Sequence, residues 1–104
     1  MSRSELLALF NLTRGYVCNY DPVGYGNMIT KELMTEIVDQ MDRMLNNMDQ
    51  KRYTLRLSGS QSMSFIAFWI HIDTTRHPYE MIIINRIVES IHKTNLYARI
   101  QAPL

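Results

Sequence analysis

Three histidines, His71, His77 and His92, and a single cysteine, Cys18, are the residues of this chain best suited to bond chemistry. His71 and Asp73 are two positions apart, which puts both on one side of a strand, where two metal ligands could sit. No third or fourth ligand accompanies them, so neither a metal centre nor a cofactor is expected. Cys18 and His71, if carried on adjacent strands, would make a nucleophile–base pair. Their spacing is not diagnostic, and a free strand cysteine more often behaves as a small buried apolar residue. Gly24-Tyr-Gly26 is too short to cradle a phosphate. The chain has no P-loop, no G-x-S-x-G elbow and no zinc spacing. These residues predict a protein that is not an enzyme, with no small-molecule substrate implied.

The totals set the class. With 104 residues, the chain is expected to form one domain, residues 1–104, around a single core. Hydrophobic residues are 46% and charged ones 20%, an ordinary balance for a folded protein. A formal net charge of +1 gives no global pull toward nucleic acid or an anionic surface. One cysteine cannot close an internal disulfide, and no apolar run has the length of a membrane span. An intracellular, cytoplasmic location without membrane contact is the expectation.

The elements that must position these residues follow from hydrophobic period. Ser2-Arg-Ser-Glu5 is a capping box opening a short helix that ends near residues 11–14, with Gly15 breaking it. Residues 15–20 read as a short strand, and residues 21–27 as a loop. From Met28 to Met48 the apolar residues Met34, Ile37, Val38, Met41, Met44, Leu45 and Met48 recur at helical spacing. Residues 51–57 alternate, with Tyr53, Leu55 and Leu57 inward and Arg52, Thr54 and Arg56 outward. Residues 58–61 read as a turn into the longest apolar run, residues 62–73. That run is β-branched and aromatic, which predicts a central strand. Ile66, Phe68, Ile70 and Ile72 would share one face, and Met63, Phe65, Ala67, Trp69 and His71 the other. Pro78 suits the first position of a helix reaching about Lys93, with a strand over residues 79–84 as the alternative. Residues 96–101 read as a last strand.

Without the leading helix this order is βαββαβ, an α+β ferredoxin-like sheet with both helices on one face. The other face, carrying Phe65, Trp69 and His71, is then open. The long helix would overhang its sheet at Met41, Met44 and Met48, and methionine is common on surfaces that accept other chains. The expected function is protein–protein interaction or self-association, as a homodimer, through Phe65, Trp69, His71, Met41, Met44 and Met48. An accessory protein of a virus or phage would suit the size.

Gly15-Tyr-Val-Cys-Asn-Tyr20 resembles the first-strand motif of the RNA-recognition-motif family, in the order aromatic, aliphatic, asparagine. That resemblance implies single-stranded RNA stacked on sheet aromatics. The family's third-strand motif is absent around Ser64-Phe-Ile-Ala-Phe-Trp69, so no binding residue is carried over from it. The alternative function is nonetheless RNA binding, through Tyr16, Trp69 and an anion strip of Arg52 and Arg56. Tyr53-Thr-Leu-Arg-Leu-Ser-Gly59, with Ser62 and Ser64, looks like a strand and turn of a small phage-encoded Cas9 inhibitor. Such an inhibitor mimics DNA with acidic side chains; Asp73-Thr-Thr-Arg-His-Pro78 lacks that cluster.

Overall fold

Two serines begin two helices by the same device. The Ser2 hydroxyl accepts from the Glu5 amide at 3.2 Å while the Ser2 amide donates to the Glu5 carboxylate at 2.9 Å. Ser58 and Gln61 repeat the exchange at 3.1 and 3.0 Å. Each reciprocal pair satisfies two donors that a helix start leaves free. The first box was legible as such; the second lies in the expected hairpin turn.

The computed structural model describes residues 1–93, and within them the fold is four helices. These are α1 (Arg3–Cys18), α2 (Gly24–Leu45), α3 (Gly59–Trp69) and α4 (Pro78–Lys93). Among the described residues there is no strand, so the ferredoxin-like α+β expectation is overturned. The last expected strand, residues 96–101, lies outside them.

Three local reasons explain the correction. Residues 62–73 are apolar on every side, which a strand and a buried helix satisfy equally. The Ser58–Gln61 box decides for helix, and of the buried residues Ser62, Ser64, Phe65, Phe68 and Trp69 all but Ser64 repeat at helical rather than alternating spacing. At residues 15–20, Gly15 does not break α1. A helical glycine costs only about 1 kcal/mol, and beyond it Val17 is buried and Tyr16 half-buried. At residues 51–57 the inward-outward alternation holds, since Tyr53 is buried, Leu55 and Leu57 are half-buried, and Arg52, Thr54 and Arg56 are exposed. The segment pairs with no strand among the described residues; it lies over the helices, Tyr53 bonded to Arg3 of α1 and the Arg56 carbonyl to Gln40 of α2.

The helices alternate in direction. Arg3 Nη2 donates to the Leu45 carbonyl at 2.8 Å, so α1 starts where α2 ends. Gln61 Nε2 meets Glu36 Oε1 at 3.1 Å, and the rings of Tyr20 and Phe68 meet edge-on at 5.4 Å, so α3 runs back along α2. Arg86 bridges to Glu5 at 2.8 Å, while Tyr16 near the end of α1 meets His77 just before α4. Consecutive helices touch, α4 also touches α1, and α2 does not touch α4. The result is an up-down-up-down bundle with α2 and α4 at opposite corners.

Its core takes Leu6, Leu9, Phe10 and Val17 from α1, and Met34, Ile37, Val38, Met41 and Leu45 from α2. Phe65, Phe68 and Trp69 come from α3, and Ile83, Ile84 and Ile91 from α4. Among the described residues, Tyr53 is the one core residue outside a helix. Pro78 begins α4 as its fixed φ and missing N–H predict, and the helical reading of residues 79–84 holds.

Candidate functional site

A helix buries the stripe whose side chains recur near one direction at 100° per residue. On α2 that stripe is Met34, Ile37, Val38, Met41 and Leu45. Carried back toward the start of α2 it passes through Thr30, Asn27 and Val23, none of which is buried. The apolar residues of the first two turns lie elsewhere. Tyr25 and Ile29, with Glu32 and Glu36 beyond them, fall about 180° from the core stripe, and Met28 flanks them. Apolar character therefore changes sides along α2.

The burial follows that pattern. Residues 23–29 are exposed without interruption, a stretch of helix with no buried side. Val23 is 80% exposed, Tyr25 85%, Met28 53% and Ile29 57%. Ile70, the residue after α3, is also exposed at the same end of the bundle, as are Tyr79, Met81 and Ile82 in the first turns of α4. Among the described residues, eight of the eleven exposed large hydrophobic ones thus belong to this end. Isolated exposed apolar side chains need no explanation, but Tyr25, Met28 and Ile29, close together in the first turns of one helix, are the kind of group that marks an interaction surface.

The start of α2 is also electrostatically incomplete. Val23 has no side chain able to cap it, and there is no acidic residue in its first turn. The amides of the first helical residues carry the positive end of the helix dipole, and nothing in the chain's own first turn answers it. Gly24 opens the helix with φ of 82°, in the left-handed region that favours glycine.

Beside this turn, between α1 and α2, lies an open groove of about 440 Å³ lined by Arg14, Val17, Cys18, Lys31, Thr35, Val38 and Asp39. Its polar groups are mostly engaged within the fold. Lys31 Nζ donates to the Tyr20 carbonyl at 2.8 Å, Thr35 Oγ1 donates to the Lys31 carbonyl at 2.8 Å, and the Arg14 guanidinium lies 5.7 Å from the Phe10 ring centre. The groove offers apolar walls, with the Asp39 carboxylate and the Arg14 guanidinium making no hydrogen bond among the described residues.

The residues expected to bind partners are dispersed. Phe65 and Trp69 are buried and pack edge-on with one another at 6.4 Å, and the open sheet face expected for them and for His71 is absent. Trp69 also meets Phe68 at 5.2 Å and Tyr16 at 5.8 Å. His71 is exposed in the loop after α3. Met41 is buried, Met44 half-buried, and Met48 exposed in the segment after α2 at the opposite end from Tyr25. The exposed apolar side chains of the long helix lie in its first turns, while Met41 is buried and Met44 half-buried. Counting the helical period back from Met34 past Gly26 would have found them; the glycines and Pro22 suggest a loop instead.

Of the nucleic-acid set, Tyr16 packs into the aromatic cluster, while Arg52 and Arg56 lie in the segment at the far end, with the Arg56 carbonyl accepting from Gln40 at 3.0 Å. They form no common surface. His71 and Asp73 are both exposed, Asp73 accepts from the Thr75 amide at 3.0 Å, and no cluster of metal-ligating side chains occurs among the described residues. Cys18, exposed as the last residue of α1, is not on a strand beside His71. No described helix is long and apolar enough to cross a membrane.

No protein-family model, no curated protein and no solved structure matches the chain.

Proposed function

We propose that the chain is a protein–protein interaction module whose contact surface is the outer face of the first two turns of α2. The observation that carries this is the placement of Tyr25, Met28 and Ile29, exposed together on the side of α2 away from the core. The exposed part of these side chains is left to water, which is unfavourable by roughly 25 cal/mol per Å² of apolar surface. A partner that covers it recovers that free energy, and the aromatic Tyr25 is the kind of residue that anchors such contacts.

A photo-crosslinking phenylalanine placed at Tyr25 of the full chain, in cells, tests the proposal. Discrete protein adducts are expected from position 25, and their loss when Ile29→Glu is added. The same probe at Arg52, exposed at the other end, is the control. No adduct at position 25, or the same adducts from both positions, overturns the reading.

A further inference from the structure

Resting on that reading of α2, we infer that the partner is a second copy of this chain, paired antiparallel through the same outer face, with Glu32 of each copy closing the helix start of the other. The stripe Tyr25, Ile29, Glu32 has two complementary ends. At one end is a helix start with no side-chain cap and no acid in its first turn; at the other is an exposed carboxylate about two turns along the same face. Two copies related by a two-fold axis between Met28 and Ile29 bring these ends together. Tyr25 of one copy then lies opposite Glu32 of the other, twice over, and apolar side chains meet at the centre.

Three features favour a second copy over an unrelated protein. The match is self-complementary, as an isologous contact requires. Residues 23–29 carry no charged side chain, so nothing at the centre repels its own image. The area also fits a weak, concentration-dependent pair. Tyr25, Met28 and Ile29 expose on the order of 400 Å² together and Glu32 adds to it, short of the roughly 800 Å² each partner loses in a standard interface. A parallel arrangement would set the two uncapped starts side by side and leave both carboxylates without a counterpart.

The test uses the purified full chain. Its native mass, by light scattering after size exclusion, is expected to rise from monomer to dimer with concentration. Ile29→Glu should hold it monomeric with an unchanged helical circular dichroism spectrum. Glu32→Gln should weaken the dimer several-fold and reduce its sensitivity to salt, because a carboxylate at a helix start is a screened electrostatic contact. Geometry is read by disulfide formation in a Cys18→Ser background. Ile29→Cys, near the axis, should link to its own mate under mild oxidation. Tyr25→Cys and Glu32→Cys should each link poorly alone but well when mixed. Equal self-linking by all three means parallel pairing and overturns the proposal. A monomer at every concentration also overturns it; Tyr25 adducts with another protein in cells would then leave the interaction reading standing, and their absence would remove both.

Discussion

Met1 and Tyr53 exchange both backbone hydrogen bonds: the Tyr53 amide donates to the Met1 carbonyl at 2.8 Å, and the Met1 nitrogen donates to the Tyr53 carbonyl at 2.7 Å. The pair joins the start of α1 to the extended segment between α2 and α3. The Tyr53 side chain completes the joint. Its hydroxyl accepts from Arg3 Nη1 at 2.9 Å and donates to the Asn47 carbonyl at 2.9 Å. An irregular segment with no strand partner among the described residues is held this way, through one buried ring and its polar tip.

Tyr53→Phe should therefore destabilise the fold by about 1–2 kcal/mol, since Arg3 loses an acceptor and Asn47 a donor. The ring stays, so the core does not collapse. Tyr53→Ala should cost about 3–5 kcal/mol, because the buried volume goes as well. Urea unfolding of both variants checks the order, with an unchanged denaturant slope expected for the phenylalanine.

Acid should weaken the joint between α1 and α4. Glu5 accepts from the Ser2 amide and pairs with Arg86, and these interactions, the Ser2 amide first, hold its carboxyl down at about 2 against an ordinary 4.5. A carboxylate with a depressed folded pKa contributes stability that is fully present above its unfolded value and is lost as pH falls through the folded one. The loss is expected between about pH 4.5 and pH 2. Glu5→Gln should flatten the pH dependence of the urea midpoint in that window. An unchanged dependence would remove Glu5 as its source.

The interior contains a correctable defect. Thr13 is wholly buried on α1, and its hydroxyl has no hydrogen-bond partner. An unsatisfied buried hydroxyl costs about 1–3 kcal/mol. Thr13→Val keeps the β-branched shape and should stabilise the protein by about 1 kcal/mol, the low end of that range. A raised thermal midpoint would show it.

The two glycines at the start of α2 should respond in opposite directions. Gly24 has positive φ, so Gly24→Ala should cost about 1–2 kcal/mol. Gly26 is helical, and an added methyl meets nothing within 4 Å. Gly26→Ala should therefore stabilise the first turns by up to about 1 kcal/mol. Amide hydrogen exchange of residues 25–30 reads both effects locally, and slower exchange in both variants would contradict the assignment.

Much of the candidate site was hidden for identifiable reasons. Tyr25 lies among Pro22, Gly24 and Gly26, residues that mark turns, so residues 21–27 read as a loop; Met28 and Ile29 fall in the expected helix but off its apolar stripe. Met44 and Met48 continue the apolar spacing of Met34 and Met41, so the overhang was expected there. The helix instead ends at Leu45, where Arg3 takes the Leu45 carbonyl and Asn46 caps the turn. That ending depends on a residue 42 positions away in the chain.

By itself the sequence determined the features that local chemistry controls. The Ser2–Glu5 box, the Met34–Leu45 stripe, the start of α4 at Pro78 and the alternation around Tyr53 are all visible in it, because capping and periodicity act over a few residues. Tertiary structure decided the rest. An apolar run such as residues 62–73 is compatible with a strand or a helix, and what surrounds it selects between them. α1 and α2 supply enough apolar surface to bury Phe65, Phe68 and Trp69 from a helix, and no strand is present among the described residues to pair with a sheet. Only once that core is closed does the outer face of α2, with Tyr25, Met28 and Ile29, stand out as the surface the fold leaves uncovered.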